Sequence, residues 1–315
     1  MKLGYALGEI RKHWRDRTWW RKRFLTHIVS RYYGVRGNGA RPVIEEDWDN
    51  LLILDACRAD LFEEVFQTAD LPGTLSTRTS VDSCTPGFLK KNFGDDTFHD
   101  VVYVTANPYV GMLLDDEQFH AVDHVWKDGW DDEHNTVMPE TMRNRALAAA
   151  EQYPQKRLIV HFVQPHAPFV GDVQVEQRDV FAIRNQALGE EGTRQLPTPF
   201  ERLETGDLTR AEVWAAYRAN LEVALPAVDT LLSDLAGRSA VTADHGNALG
   251  ERASPFPIRV YGHPLGILTP ALTEVPWLVV DDDSRRTITA EPPETDTEQV
   301  DSATEERLRM LGYAE

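Results

Sequence analysis

Leu51-Leu52-Ile53-Leu54-Asp55-Ala56-Cys57-Arg58-Ala59-Asp60 joins four consecutive apolar residues to a cluster of polar and charged ones. An apolar run this short, bounded by polar residues, reads as a strand buried on both faces. Asp55 then stands at its C-terminal end. Working outward, the same pattern recurs at 101–104, 158–163, 239–242 and 277–280. Helix-like stretches lie between these runs, over about 138–153 and about 208–236. In the second, Val213, Tyr217, Leu221, Leu225, Val228 and Leu232 hold helical spacing. Strands alternating with helices predict an α/β fold: a doubly wound, mainly parallel sheet with helices on both faces.

Ligands of open α/β sheets bind outside the carboxyl ends of the strands, and polar clusters follow several of these runs. They are 55–60 (Asp-Ala-Cys-Arg-Ala-Asp), 83–87 (Ser-Cys-Thr-Pro-Gly), 161–168 (His-Phe-Val-Gln-Pro-His-Ala-Pro) and 242–247 (Thr-Ala-Asp-His-Gly-Asn). Tyr261-Gly262-His263-Pro264 adds another imidazole. Taken singly, a strand-terminal Asp is more often a helix cap, and a lone His more often a structural residue. His161 alternates with Val160 and Phe162 along its strand and reads as structural. His99, His120, His124 and His134 lack ligand spacing.

The 315 residues suffice for one large domain, and no run of eighteen apolar residues offers a membrane-spanning helix. The formal charge is −18, and only seven of the 33 basic residues are Lys. Such an acidic, Lys-poor balance suits a protein from a salt-loving organism and opposes nucleic-acid binding. Residues 1–41 run against this trend. Eleven Lys or Arg stand there against Glu9 and Asp16, a net of +9 that leaves −27 for residues 42–315. With Trp14, Trp19, Trp20, Phe24, Tyr32 and Tyr33, the segment suits an anionic membrane surface or, alternatively, a helix docked on the acidic body. Cys57 and Cys84 build no disulfide framework and fit a reducing compartment, so the expected location is cytoplasmic, with peripheral contact at the inner membrane face. Residues 171–207 lack periodicity and read as a long surface loop. The expected organisation is a basic aromatic helical segment over 1–41, an α/β domain over 42–281, and an acidic linker with a short closing helix over 282–315. Ser302 and Glu305 would form that helix's capping box.

In this order, the clusters resemble the alkaline phosphatase-like superfamily, particularly its sulfatase-type branch, over about residues 50–281. Asp55, Arg58 and Asp60 match an Asp-x-x-Arg-x-Asp pattern whose first residue binds metal. Asp244-His245-Gly246-Asn247-Ala248-Leu249-Gly250-Glu251 is similar to the family's later ligand segment, and Pro165-His166-Ala167-Pro168 and Gly262-His263 to its substrate-binding histidines. The tail, 307–313, also resembles that of sulfatase-like chains, and the composition suits a haloarchaeal member. The resemblance implies one divalent cation (Mn, Zn, Mg or Ca) on Asp55, Asp244 and His245, with His166, His263 and Arg58 contacting the anionic group or the leaving oxygen. Two-metal members carry Asp where Phe162 stands here, so a second full metal site is not expected.

Two carboxylates and one imidazole suit such a cation, and group transfer also needs an activated oxygen nucleophile. The sulfatase-type branch oxidises the Cys of Cys-x-Pro-x-Arg to formylglycine. Cys84-Thr85-Pro86-Gly87 fits, but Phe88 replaces the Arg. Thr85 and Cys84 are therefore both candidate nucleophiles, with Ser83 third. The activity implied is hydrolysis of a sulfate or phosphate ester on a small molecule, glycan or lipid, through a covalent enzyme intermediate. The alternatives are a phosphotransferase or phosphodiesterase acting on a lipid or glycan at a membrane, and a silent relative that binds a metal or anion.

Overall fold

A computed structural model describes residues 3–173, 175, 182–189, 197–282 and 284–293. The expected closing helix and the tail at 307–313 lie outside the described residues. The strands are β1 (Asn50–Asp55), β2 (Thr74–Thr79), β3 (Phe98–Thr105), β4 (Phe119–His124), β5 (Trp130–Asp131), β6 (Thr136–Val137), β7 (Arg157–Pro165), β8 (Ser239–Ala243), β9 (Ala248–Arg252), β10 (Arg259–Gly262) and β11 (Glu274–Val280). Seven of them form the main sheet, in the order β2-β11-β8-β1-β7-β3-β4. β8, β1, β7, β3 and β4 run parallel, and β11 pairs antiparallel with both β8 and β2. The 277–280 run thus belongs to the one reversed strand of that sheet. A sheet residue gives no local sign of chain direction, so the apolar pattern was silent on this.

Every residue of β1 is buried, as its apolar run predicts. Leu52 and Leu54 point into one core with Leu158, Val160 and Phe162, capped by the helices Ala59–Ala69, Pro139–Gln152 and Arg210–Asp234. Leu51 and Ile53 point the other way, toward Phe88 and Leu89 of the helix Thr85–Asn92 and Phe93 at its C-terminal end. Period-two alternation thus feeds two cores, and helices cover both faces.

The 171–207 stretch is not all loop. Its described part contains the helices Ala182–Ala187 and Pro199–Thr205. Thr198 and Glu201 cap the second with reciprocal side-chain bonds, and one amphipathic turn is too short to register as periodicity.

At the N-terminus, Leu3–His13, Arg17–Phe24 and Ser30–Arg36 are helical, the last two joined by a π-helical turn, Leu25–Val29. Leu25, Val29 and Tyr33 pack against Val260, Ile267 and Leu272 of the body. Tyr33 donates a hydrogen bond to the Ser254 carbonyl, while Arg21 and Lys22 pair with Glu204 and Glu201. Among the described residues no helix is long and apolar enough to cross a membrane.

Candidate functional site

β8, β1 and β7 are neighbours running in one direction, about 5 Å apart. Their C-terminal ends therefore set Asp244-His245, Asp55 and His166 side by side, although Asp55 and Asp244 stand far apart along the chain. Asp55, Asp244 and His245 are buried and offer ligand atoms that all lie within 4.8 Å of one another. The turn after β1 is tightly held. Ala56 adopts φ +60°, a region unfavourable for a residue with a Cβ. Its N–H donates to Asp244 Oδ1 at 2.9 Å, and its carbonyl accepts from the Tyr217 hydroxyl.

Asn107, just beyond the end of β3, donates to Asp55 Oδ2 at 2.7 Å. Asp55 Oδ1 has no hydrogen-bond partner among the described residues. His245 Nδ1 lies 2.8 Å from the Gly246 carbonyl, so that nitrogen donates to it and Nε2 is the atom that faces the carboxylates. Nε2 is 3.7 Å from Asp55 Oδ1 and 3.5 Å from Asp244 Oδ2. Burial and the neighbouring Asp244 raise the Asp55 carboxyl well above the usual carboxylate range. Asp244 is buried too, but His245, His161 and donors from Ala56 and Thr85 outweigh that burial and hold it low. Two desolvated carboxylates, one with an unpartnered oxygen, facing an imidazole nitrogen form a donor set that fits a divalent cation.

Thr85 opens the helix Thr85–Asn92 and donates its hydroxyl to Asp244 Oδ2 at 2.7 Å, with His245 Nε2 3.4 Å away. A helix N-terminus favours the negative charge that would develop on that oxygen. Gly87 lets this helix start close to its neighbours, since a Cβ there would stand 2.2 Å from the Asp82 carboxyl carbon. Cys84 caps the helix through its backbone alone, and burial pushes its thiol up to about 12. Ser83 is committed elsewhere, donating to the Pro264 carbonyl and accepting from Ile267. Phe88, at the position where the sulfatase-type pattern has Arg, is a core residue.

His166 and His263 meet through their Nε2 atoms at 3.1 Å. His166 Nδ1 donates to the Ala167 carbonyl, which leaves its Nε2 to accept from His263. Burial lowers both imidazoles below their ordinary value, His263 the more strongly. Arg58, expected to touch the anionic group, is directed elsewhere. Its guanidinium binds Asp60 through two bonds, Glu251 at 2.8 Å and the Asn247 carbonyl at 2.9 Å. It ties the loop after β1 to the loop after β8 instead of facing the cavity. Gln164 bonds back to Val137 and Phe162 is core, so neither adds a ligand beside His166.

A cavity of about 310 Å³ opens above Asp55 and Thr85, with His166, His263 and Asn107 in its wall and Tyr109, Trp130, Arg184 and Leu265 around it. Asn107 was missed, although it follows a strand end just as Asp55 does; that position was the available signal. His161 is closer to the site than its alternation suggested. Tyr103 binds its Nδ1 at 3.0 Å, and its Nε2 lies 3.9 Å from Asp244 Oδ2. Asn220, in the middle of the helix Arg210–Asp234, gave no sequence signal. Its amide donates to the carbonyls of Pro165, His166 and Pro168 and accepts from Val170, so it fixes the loop that carries His166.

No protein-family model matches the chain, and no curated protein matches it in sequence. Among solved structures it is similar to the soluble domain of lipooligosaccharide phosphoethanolamine transferase A from Neisseria meningitidis, at 13% identity and a TM-score of 0.44 over 73% of this chain and 75% of that one. The integral membrane form of that transferase aligns at 14% identity and a TM-score of 0.47, over 88% of this chain and 60% of its own length. A 2-O GAG sulfatase aligns at 12% identity and a TM-score of 0.45, over 77% of this chain and 65% of the sulfatase.

Proposed function

We propose that the protein is a metal-dependent enzyme that transfers a phosphoryl or sulfuryl group from an ester to Thr85, and from there to water or to an acceptor hydroxyl. The observation that carries this reading is the Thr85 hydroxyl bonded at 2.7 Å to one carboxylate of the Asp55, Asp244 and His245 cluster. Those three residues would hold the cation. When bound, it would offset negative charge on the transferred group and favour the deprotonated nucleophile.

In the first half-reaction the Thr85 proton leaves along its hydrogen bond to Asp244 Oδ2. Thr85 Oγ1 forms a bond to phosphorus or sulfur, and the bond to the leaving oxygen breaks. His166 and His263 stand in the cavity wall as a hydrogen-bonded pair, placed, when the pair carries an added proton, to give it to that oxygen. In the second half-reaction the acceptor hydroxyl gives its proton to the histidine pair and its oxygen bonds to phosphorus or sulfur, while the bond to Thr85 Oγ1 breaks and Asp244 returns the first proton to Thr85. Phe88, a core residue where the formylglycine pattern has Arg, favours an unmodified Thr85 as nucleophile, and the buried Cys84 thiol is poorly placed to act as a thiolate. That choice favours the phosphate-ester side of the reading. Tyr109, Trp130, Val163 and Leu265 around the cavity favour an apolar or aromatic leaving group over a heavily hydroxylated one.

A screen of aryl sulfates, phosphomonoesters and phosphodiesters on metal-loaded protein tests this. Turnover should fall roughly 10³-fold or more in Thr85→Ala and in Asp244→Ala. Peptide mass spectrometry across residues 83–88 of protein quenched during turnover should find the transferred group on Thr85. Full activity in either variant would remove the proposal.

A further inference from the structure

The N-terminal helices carry a surface that the active-site reading does not use. Six of the nine exposed large apolar side chains among the described residues lie there: Ile10, Trp14, Trp20, Phe24, Ile28 and Val35. Ile28 is 50%, Trp14 61% and Val35 92% exposed. Trp20, Phe24 and Ile28 recur every four residues, and they border the stripe of Leu25, Val29 and Tyr33 that packs on the body. The exposed apolar edge therefore continues past the face already docked.

Cations surround this edge. Arg11, Arg15, Arg17, Arg31 and Arg36 are exposed, and none pairs with a carboxylate among the described residues. Arg15 stacks over Trp14, and Arg36 donates to the Tyr32 hydroxyl. Beside them, Ile28, Tyr32, Val35 and Phe256 line a shallow groove edged by Arg31 and Arg36. We propose that this limb is an interfacial docking surface for an anionic lipid bilayer.

Bulky apolar and aromatic side chains among free cations match both layers of a bilayer surface, since the acyl boundary takes the first and the anionic headgroups attract the second. The same limb on a second copy would bring +9 against +9. The acidic body of a second copy supplies charge but, among the described residues, only three exposed large apolar side chains, Leu113, Val173 and Leu265. The limb also lies beside a loop of the catalytic cavity. Leu265, 64% exposed, stands in its wall, and a Cβ on the adjacent Gly266 would lie 3.4 Å from Ser30 of the limb. The limb that carries the docking surface is thus a neighbour of the cavity wall. On the reading of the site given above, the substrate class that follows is a lipid-borne phosphate ester.

Cosedimentation of the full chain with vesicles of phosphatidylcholine alone, and of phosphatidylcholine mixed with phosphatidylglycerol, tests the proposal. The protein should pellet with the anionic vesicles and stay largely free of the neutral ones. Arg31→Gln with Arg36→Gln should weaken binding about 25-fold, at roughly fivefold per cation. Trp20→Ser with Ile28→Ser should weaken it at least about tenfold. Both pairs lie outside the cavity and should leave turnover of a soluble aryl ester unchanged, which also reports that they fold. Lost docking with intact turnover, or intact docking without turnover, separates a failure of this inference from a failure of the catalytic reading. Wild-type protein that ignores both vesicles, binds them equally, or is matched by the two double variants overturns the proposal. So does a lipid-free dimer dissolved by the same substitutions.

Discussion

A threonine hydroxyl is a weak nucleophile until its proton has an acceptor and its developing charge has a counterweight. Thr85 has the first in Asp244 and the makings of the second in the cation set around it. Thr85→Ser should therefore keep measurable turnover, since its hydroxyl can reach the same oxygen, whereas Thr85→Ala should not. Cys84→Ser should stay within a few-fold of wild type in an ester assay, because the thiol lacks the environment that makes thiolates. The histidines give a pH signature in metal-free protein. Burial depresses His161 to about 4, and lowers His166 and His263 as well, so the folded state binds fewer protons than the unfolded chain below the ordinary imidazole value. Asp55 has the opposite sign, its raised carboxyl holding a proton longer when folded, while the lowered Asp244 acts in the same direction as the histidines. Stability of the chelated protein should fall as pH drops from about 6.5 toward 4, with His161 alone contributing on the order of 3 kcal/mol at about 1.4 kcal/mol per unit. Urea unfolding across that window is the measurement, and a flat or rising profile would refute the assignment. Asp55, Asp244 and His245 were legible as candidates because polar residues stand out when they end apolar strands. The direction of Arg58 was not, because a guanidinium seeks whichever carboxylates the fold brings near, and Glu251 comes from another strand.

Between elements, what positions the site is the adjacency of β8, β1 and β7. Their apolar runs are visible in the sequence, and the alternation with helices identifies a mainly parallel sheet. Their order is not visible, because every buried parallel strand carries much the same Val, Ile and Leu content. β11 runs antiparallel for the same reason unseen. The helices Ala182–Ala187 and Pro199–Thr205 are too short for periodicity to register, and for the second the capping chemistry at Thr198 was the readable sign. Asn220 shows how one element fixes another: three carbonyls of the His166 loop depend on its single amide. Asn220→Ala should cost about 3 kcal/mol, since it leaves buried acceptors unpaired, and should lower kcat through the displaced His166. Thermal unfolding and ester kinetics check both. Asn220→Asp loses the donor while keeping the size, and is expected to do no better.

Over the whole molecule, charge is segregated between a basic limb and an acidic body. With −27 on residues 42–315, repulsion within the body is the main electrostatic effect that salt can relieve. The Debye length shrinks from about 10 Å at 0.1 M to about 3 Å at 1 M. Surface pairs such as Lys22 with Glu201 would weaken in the same range, but each is worth only about 0.2–1 kcal/mol. Tm should therefore rise with salt, and a calorimetric Tm that falls steadily would show that limb–body pairing outweighs the repulsion. The charge split was plain in the sequence, whereas the packing of Leu25, Val29 and Tyr33 on the body required the fold. The proposed chemistry depends on one cation held by Asp55, Asp244 and His245 beside Thr85. Metal analysis of protein loaded with Mn or Zn and then desalted tests it most directly. Wild type should retain one equivalent, and Asp244→Asn, shown by circular dichroism to be folded, should retain none. Two retained equivalents, or an Asp244→Asn protein that holds metal as wild type does, would contradict it.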